Sequence, residues 1–207
     1  MGGLFITIEG PDGSGKSTQI KKLAEYLEQK GHAVILTREP GGTKISEKIR
    51  EIILDKENME MDPVTEALLY AASRAQHVAE VIQPALESGK TVICDRFVDS
   101  SIVYQGIGRG LGIEAVENVN RIAVKNILPK ITFLFQLCPE IGLERKTEQG
   151  EKDRLEQETL DFHQKVFEGY QGLKALYPQR IVVVDASRSI EEIHKDIILA
   201  IEKRMKG

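Results

Sequence analysis

The chain has 207 residues, 41% of them apolar, enough for one α/β domain with a sizeable core. A formal charge of −4 gives no global attraction to polynucleotides or anionic membranes, so no nucleic-acid or membrane partner is expected and positive charge must act locally. The two cysteines, Cys94 and Cys138, lack metal-ligand spacing, and the opening apolar run is too short for a signal peptide, so reduced thiols and a cytoplasmic location are expected.

Short β-branched runs at 4–8, 33–37, 91–94, 131–136 and 181–185 alternate with longer segments of helical period. Helices are predicted around 18–30, 45–54, 64–87, 113–125, 160–176 and 190–203, with Pro84 expected to kink or end the third. This alternation predicts a parallel sheet covered by helices, and no repeat or linker divides residues 1–207 into more than one domain. In such sheets ligands gather beyond the carboxyl ends of the strands.

The first strand runs into 10-GPDGSGKST-18, which satisfies G-x-x-x-x-G-K-[ST] between a predicted strand and a predicted helix. Residues Gly10, Pro11, Asp12, Gly13, Ser14, Gly15, Lys16, Ser17 and Thr18 therefore form a candidate ATP-phosphate loop. The glycines let backbone N–H groups converge on phosphate oxygens, Lys16 adds a point charge, and the Ser17 hydroxyl suits a Mg²⁺ ion bridging the phosphates.

Further along, Arg38 ends the second strand within 38-REPGGT-43, and Arg50 lies on the next helix. Tyr70 and Arg74, four apart on the long helix, share a face suited to stacking on a base and meeting its edge; a core Tyr beside a solvated Arg fits equally well. The run 91-TVICDR-96 closes on Asp95, placed as a metal-associated strand-end carboxylate, followed by Arg96. Together these three arginines suit bidentate phosphate binding, though each alone also fits a surface ion pair. The charged segment 142-GLERKTEQGEKDR-154 reads as a lid over phosphates or as an exposed helix, and Asp185 reads as structural. No N-K-x-D tetrapeptide for guanine occurs, which disfavours a GTP switch, and the short chain leaves little room for a motor. A small-molecule kinase fits best.

The stretches 9-EGPDGSGKST-18, 37-TREPGGT-43, 95-DRFVDSSIVYQG-106 and 150-GEKDRLE-156, in this order and spacing, resemble the thymidylate kinase family over essentially the full chain. The resemblance implies phosphoryl transfer from ATP to dTMP, Mg²⁺ dependence, and a homodimer. It also implies the P-loop kinase three-layer sandwich: a five-stranded parallel sheet flanked by helices, with a short lid near 142–156. Asp12 resembles the carboxylate that engages the sugar 3′-hydroxyl. Tyr70 resembles the ring stacked on thymine, Arg74 the residue reaching a base carbonyl, and Ser101 one near the base edge with Gln105 beside it. Tyr104 resembles the aromatic that crowds the sugar 2′ position. Arg38 and Arg96 resemble monophosphate binders, with Arg50 placed by helix geometry rather than by a tight motif. Gly13 stands where some relatives carry an ATP-binding arginine, and Thr147 and Gln149 stand where bacterial relatives often carry lid arginines. The lid cation is therefore expected among Arg145, Lys146, Lys152 and Arg154, with Arg145 and Arg154 favoured. Kinases for dUMP, dCMP or the unphosphorylated nucleoside share the fold and are the nearest alternatives.

Overall fold

The computed structural model describes residues 2–137 and 153–206. Arg145, Lys146, Lys152, Cys138 and most of the expected lid lie outside the described residues.

Five strands form the sheet: β1 (Phe5–Glu9), β2 (Val34–Arg38), β3 (Thr91–Asp95), β4 (Ile131–Gln136) and β5 (Ile181–Asp185). All pair in parallel in the order β2-β3-β1-β4-β5, so β1 occupies the centre and its carboxyl end faces the switch in strand order. Strand periodicity explains the layers. In β1, Ile6 and Ile8 enter a core with α1 (Lys16–Gln29) and the C-terminal helix that begins at Ile190, while Phe5 joins a core on the opposite face. Thr7 and Glu9 share that opposite face with Phe5, which carries two polar groups into the interior. The register sets Asp95 opposite both Ile8 of β1 and Arg38 of β2, so three strand ends reach one level.

The long helix departs from expectation in an informative way. It begins as α3 (Pro63–His77), capped by the Asp62 side chain, passes through a π-helical turn (Val78–Ile82), and ends as α4 (Gln83–Glu87). Pro84 lacks an N–H and would crowd the carbonyl four residues back; the widened turn just before it accommodates the ring, so the helix changes its winding instead of stopping. A second helical segment was not foreseen: α5 (Val98–Ser101) continues into a π-helical stretch (Ile102–Gly108). Its β-branched residues and two glycines mask the helical pattern in sequence. Among the described residues the remaining helices are α2 (Lys44–Leu54), α6 (Ile113–Val124), α7 (Leu160–Leu176) and α8 (Ile190–Lys206), each close to its expected range.

Candidate active site

The phosphate loop is held open by its own backbone. Gly10 has φ 134, and a Cβ there would lie 2.4 Å from the Phe135 carbonyl oxygen of β4, so only glycine lets the loop pass this close to the sheet. Gly15 caps α1 in a left-handed conformation with no side-chain hydrogen bond to the first turn. The free N–H groups of that turn therefore face the loop as an anion site. The Lys16 ammonium donates to the carbonyls of Gly10 at 3.1 Å and Pro11 at 2.8 Å, arching the loop over itself. Burial and the neighbouring Arg96 charge push Lys16 down to about 8, against the pull of Asp12, Asp95 and Glu9. A phosphate would add to the counter-charge that Asp12 gives this ammonium. The Ser17 hydroxyl is exposed in the first turn of α1.

Arg96 closes the other side of the cleft. Its backbone takes φ 65, uncommon for a residue with a side chain, directly after β3. The guanidinium donates to Asp12 at 2.9 Å, to the Tyr170 hydroxyl at 2.8 Å and to Ser100 at 3.2 Å, and stacks near the Tyr104 ring. Asp12 thus stands between Arg96 and Lys16, 3.8 Å from the latter. Beneath them, Glu9 accepts from the Phe97 N–H at 2.7 Å and from the Ser100 hydroxyl at 2.6 Å, tying the end of β1 to the start of α5. Burial, reinforced by Asp99, raises the Glu9 carboxyl to about 8.

Arg38 and Arg50 meet over one acceptor. Both donate to the Pro40 carbonyl, at 2.7 and 3.0 Å, and Arg38 also pairs with Glu47. Burial and the adjacent Arg38 charge lower the Arg50 pKa, as expected where two cations converge with few counter-charges. The structure therefore places the helix-derived candidate beside the motif-derived one.

The base-site candidates lie between α3 and α5. Arg74 is 1% exposed and makes four hydrogen bonds. It donates to Glu39 at 2.7 Å, Ser101 at 3.1 Å, the Phe97 carbonyl at 3.1 Å, and Asn120. It is no solvated arginine. Glu39 is also bound by His77 at 2.9 Å, so its buried charge is met from two sides. Tyr70, one turn before Arg74, is 9% exposed, and burial with the nearby Glu66 holds its hydroxyl neutral, above the ordinary value. Tyr104 packs edge-on against Phe162 and Tyr170. Gln105 donates to Glu66 at 2.8 Å, and its carbonyl oxygen, although buried, meets no protein donor.

Arg154 lies elsewhere than a phosphate-facing lid cation would. It is 1% exposed, donates to the Ile53 carbonyl and to Glu66 at 2.6 Å each, and neither partner belongs to the phosphate cradle.

The donor set suits a hard divalent cation held by few protein groups. One oxygen of Asp95 is buried without a hydrogen-bond partner, and no cluster of three acidic, His or Cys side chains occurs among the described residues. A Mg²⁺ ion bound by one carboxylate, directly or through water, together with Ser17 and nucleotide phosphates would fit both facts.

Several site residues escaped sequence reading. Glu9 ends an apolar strand as Asp95 does, and strand alternation could have placed it inside the cleft. Glu39 sits within the quoted REPGGT segment, whereas Glu66, Asn120 and Tyr170 carry no local signal because helix packing brings them in.

The family model described as thymidylate kinase matches residues 8–197. The thymidylate kinase of Bacillus pumilus (strain SAFR-032) is 52% identical over 208 residues, covering 100% of this chain and 98% of the relative. That of Thermoanaerobacter sp. (strain X514) is 54% identical over 203 residues, covering 98% and 99%. Among solved structures, thymidylate kinase from Ehrlichia chaffeensis superposes with a TM-score of 0.77 at 32% identity, covering 98% of this chain and 99% of that one. Full-length likeness in sequence and in fold, together with the phosphate loop and the buried pocket beside it, shows that the chain belongs to the thymidylate kinase family.

Proposed function

We infer that this chain transfers the terminal phosphoryl group of ATP to dTMP, forming dTDP for nucleotide biosynthesis. The observation that carries this reading is the adjacency of a charged cradle and a buried polar pocket: Arg96 reaches Asp12 of the phosphate loop, while the residue after it, Phe97, gives its carbonyl to Arg74 of the base site. ATP phosphates would occupy the loop around Lys16. A cavity of about 160 Å³ beside it, lined by Ser14, Thr18, Gln19, Arg188, Ile190 and Ile193, offers room for the donor nucleoside. The dTMP phosphate would meet Arg38, Arg50 and Arg96, its sugar would lie between Asp12 and Tyr104, and its base would stack on Tyr70 with Arg74, Ser101 and Gln105 at its edge.

Transfer would be direct and in-line. The second pKa of a phosphate monoester is about 6, so the attacking oxygen is ionised at neutral pH and needs little help from a base. Lys16 and Arg96 would then act by holding the phosphates in line and offsetting the charge that spreads over the moving group. Asp95 and Ser17 would hold a Mg²⁺ ion, which would offset negative charge on the donor phosphates. Because Arg154 is held in a buried ion pair, it fits an anchor better than a mobile cation, which leaves Arg145 as the favoured lid candidate. One domain would hold both substrates, working on free nucleotides in the cytoplasm. A homodimer would cover the apolar side chains Ile45, Ile52, Val64, Leu68 and Ile122, which stand exposed on α3 and on the two helices packed against it, α2 and α6.

The test is Mg²⁺- and ATP-dependent ADP release with dTMP, dUMP, dCMP, AMP and thymidine in parallel, with product identification. Strong preference for dTMP is expected. Preference for another acceptor would retain the phosphate-site assignment and overturn the base-site one.

A further inference from the structure

α3 and the α5 to π-helical segment face each other as a ladder with two kinds of rung. At one end Arg74 of α3 donates to Ser101; at the other, Glu66 of α3 receives Gln105 and Arg109. Glu66, Tyr70 and Arg74 are spaced four apart on α3, and Ser101, Gln105 and Arg109 four apart on its neighbour, so the proposed base platform lies between the rungs. Gln105 is 1% exposed, yet only its NH₂ end is bonded; its Oε1 is buried and unpartnered. A buried amide oxygen left unmet destabilises the fold, so its retention points to a donor supplied by a ligand.

Which end of an amide faces where is set by its neighbours. A carboxylate can only accept, so the Gln105 end that touches Glu66 must be the NH₂. Glu66 is kept in that state by Arg109 at 2.8 Å and Arg154 at 2.6 Å. Burial alone would raise its carboxyl, but hydrogen bonds from Arg109, Gln105 and Arg154 hold it below the ordinary value.

We propose that Glu66 is a positioning residue for base recognition: it turns the Gln105 amide so that Oε1 faces the pyrimidine and selects a ring with an N–H at position 3. Thymine and uracil carry that donor, whereas cytosine presents an acceptor there and would leave two acceptors facing each other. The inference rests on the base placement proposed above and extends it to a residue that touches no substrate.

The test compares kcat/KM for dTMP and dCMP in the full-length wild type, Glu66→Gln and Arg109→Gln, with KM for ATP measured alongside. In Glu66→Gln the neighbouring amide can donate as well as accept, so Gln105 loses its imposed sense. The dTMP-to-dCMP ratio is expected to fall about tenfold, the scale of one base-edge hydrogen bond, chiefly through KM for dTMP, with KM for ATP unchanged. Arg109→Gln removes a partner of Glu66 but leaves the contact to Gln105, so it should lower thermal stability and hold the ratio. An unchanged ratio in folded Glu66→Gln, or an equal fall in Arg109→Gln, would overturn the proposal. Should Glu66→Gln fail to fold, wild-type enzyme bound to dTMP labelled with ¹⁵N at ring position 3 decides the matter. A slowly exchanging imino proton with cross-peaks to the Gln105 side chain supports it, and exchange as fast as in free dTMP sinks it. If the wild type turns over no dTMP at all, the substrate reading fails first and this inference falls with it.

Discussion

The phosphate cradle and the proposed base pocket adjoin at Arg96 and Phe97 but are made of different material. The cradle is local: nine consecutive residues, a glycine pressed against β4, and backbone N–H groups at the head of α1. The pocket is assembled: Arg74 of α3 is bonded to Glu39 after β2, Ser101 of α5, Asn120 of α6 and the Phe97 carbonyl. A site built from backbone depends on chain conformation at a few positions. One built from buried side chains depends on every partner being present, because each lost partner strands a polar group away from water.

That contrast can be tested by substitution. Arg74→Met should be the most damaging to the fold, since it leaves Glu39 buried with a lost ion-pair partner; a loss of about 3–5 kcal/mol in unfolding free energy is expected by denaturant titration. A loss below about 1 kcal/mol would mean that the pocket is far less interdependent than its bonding indicates. Lys16→Met should do the reverse, lowering turnover by about 10² to 10³ if the loss of an oxyanion donor is a fair guide, with thermal stability nearly intact. Unchanged turnover would remove Lys16 from the proposed chemistry. Gly10→Ala falls between the two: its φ of 134 and a Cβ placed 2.4 Å from the Phe135 oxygen predict strain of about 1–3 kcal/mol together with weakened ATP binding. Binding of dTMP should change less.

A pH-dependent effect concerns Glu9, which joins the two regions. Its carboxyl stands at about 8 in the folded protein against an ordinary 4.5, so between those values the native state holds a proton that the unfolded chain has released. The associated stability is present at acid pH and is lost as pH rises through about 8. Asp99 favours the protonated form and Arg96 opposes it, while Lys16, Arg180, Cys94 and Tyr170 also sense this carboxyl. Thermal melts of wild type and Glu9→Gln between about pH 5 and 8.5 should show the variant gaining on the wild type as pH rises. Parallel curves would place the Glu9 pKa near its ordinary value.

Much of this architecture is legible in the amino-acid sequence. The five β-like runs became the five strands within a residue or two, because apolar β-branched runs bounded by glycine and charge have few other ways to be buried. The phosphate loop was legible for a similar reason: its function needs particular residue types at fixed short spacing, so the chemistry is written in consecutive letters. The helix at 98–108 was not, since Ile102, Val103, Gly106 and Gly108 hide a helical preference that packing against α6 and α7 supplies. Whether Tyr70 and Arg74 were core and surface or a site was likewise open. Burial and the four hydrogen bonds that Arg74 donates exclude a solvated arginine, which spacing alone does not.

By itself, then, the sequence determined the fold class, the strand and helix inventory, the phosphate loop and the family likeness, all of which depend on neighbours in the chain. Tertiary structure alone decided the pairing of Arg38 with Arg50 over Pro40, the burial of Arg154 against Glu66, and the encirclement of Arg74. It also decided which way the Gln105 amide points, with Glu66 lying 39 positions earlier in the chain. The physical reason is shared by the last three: a hydrogen bond depends on distance and direction in space, and only the packing of helices on the sheet brings residues so far apart in sequence to within about 3 Å.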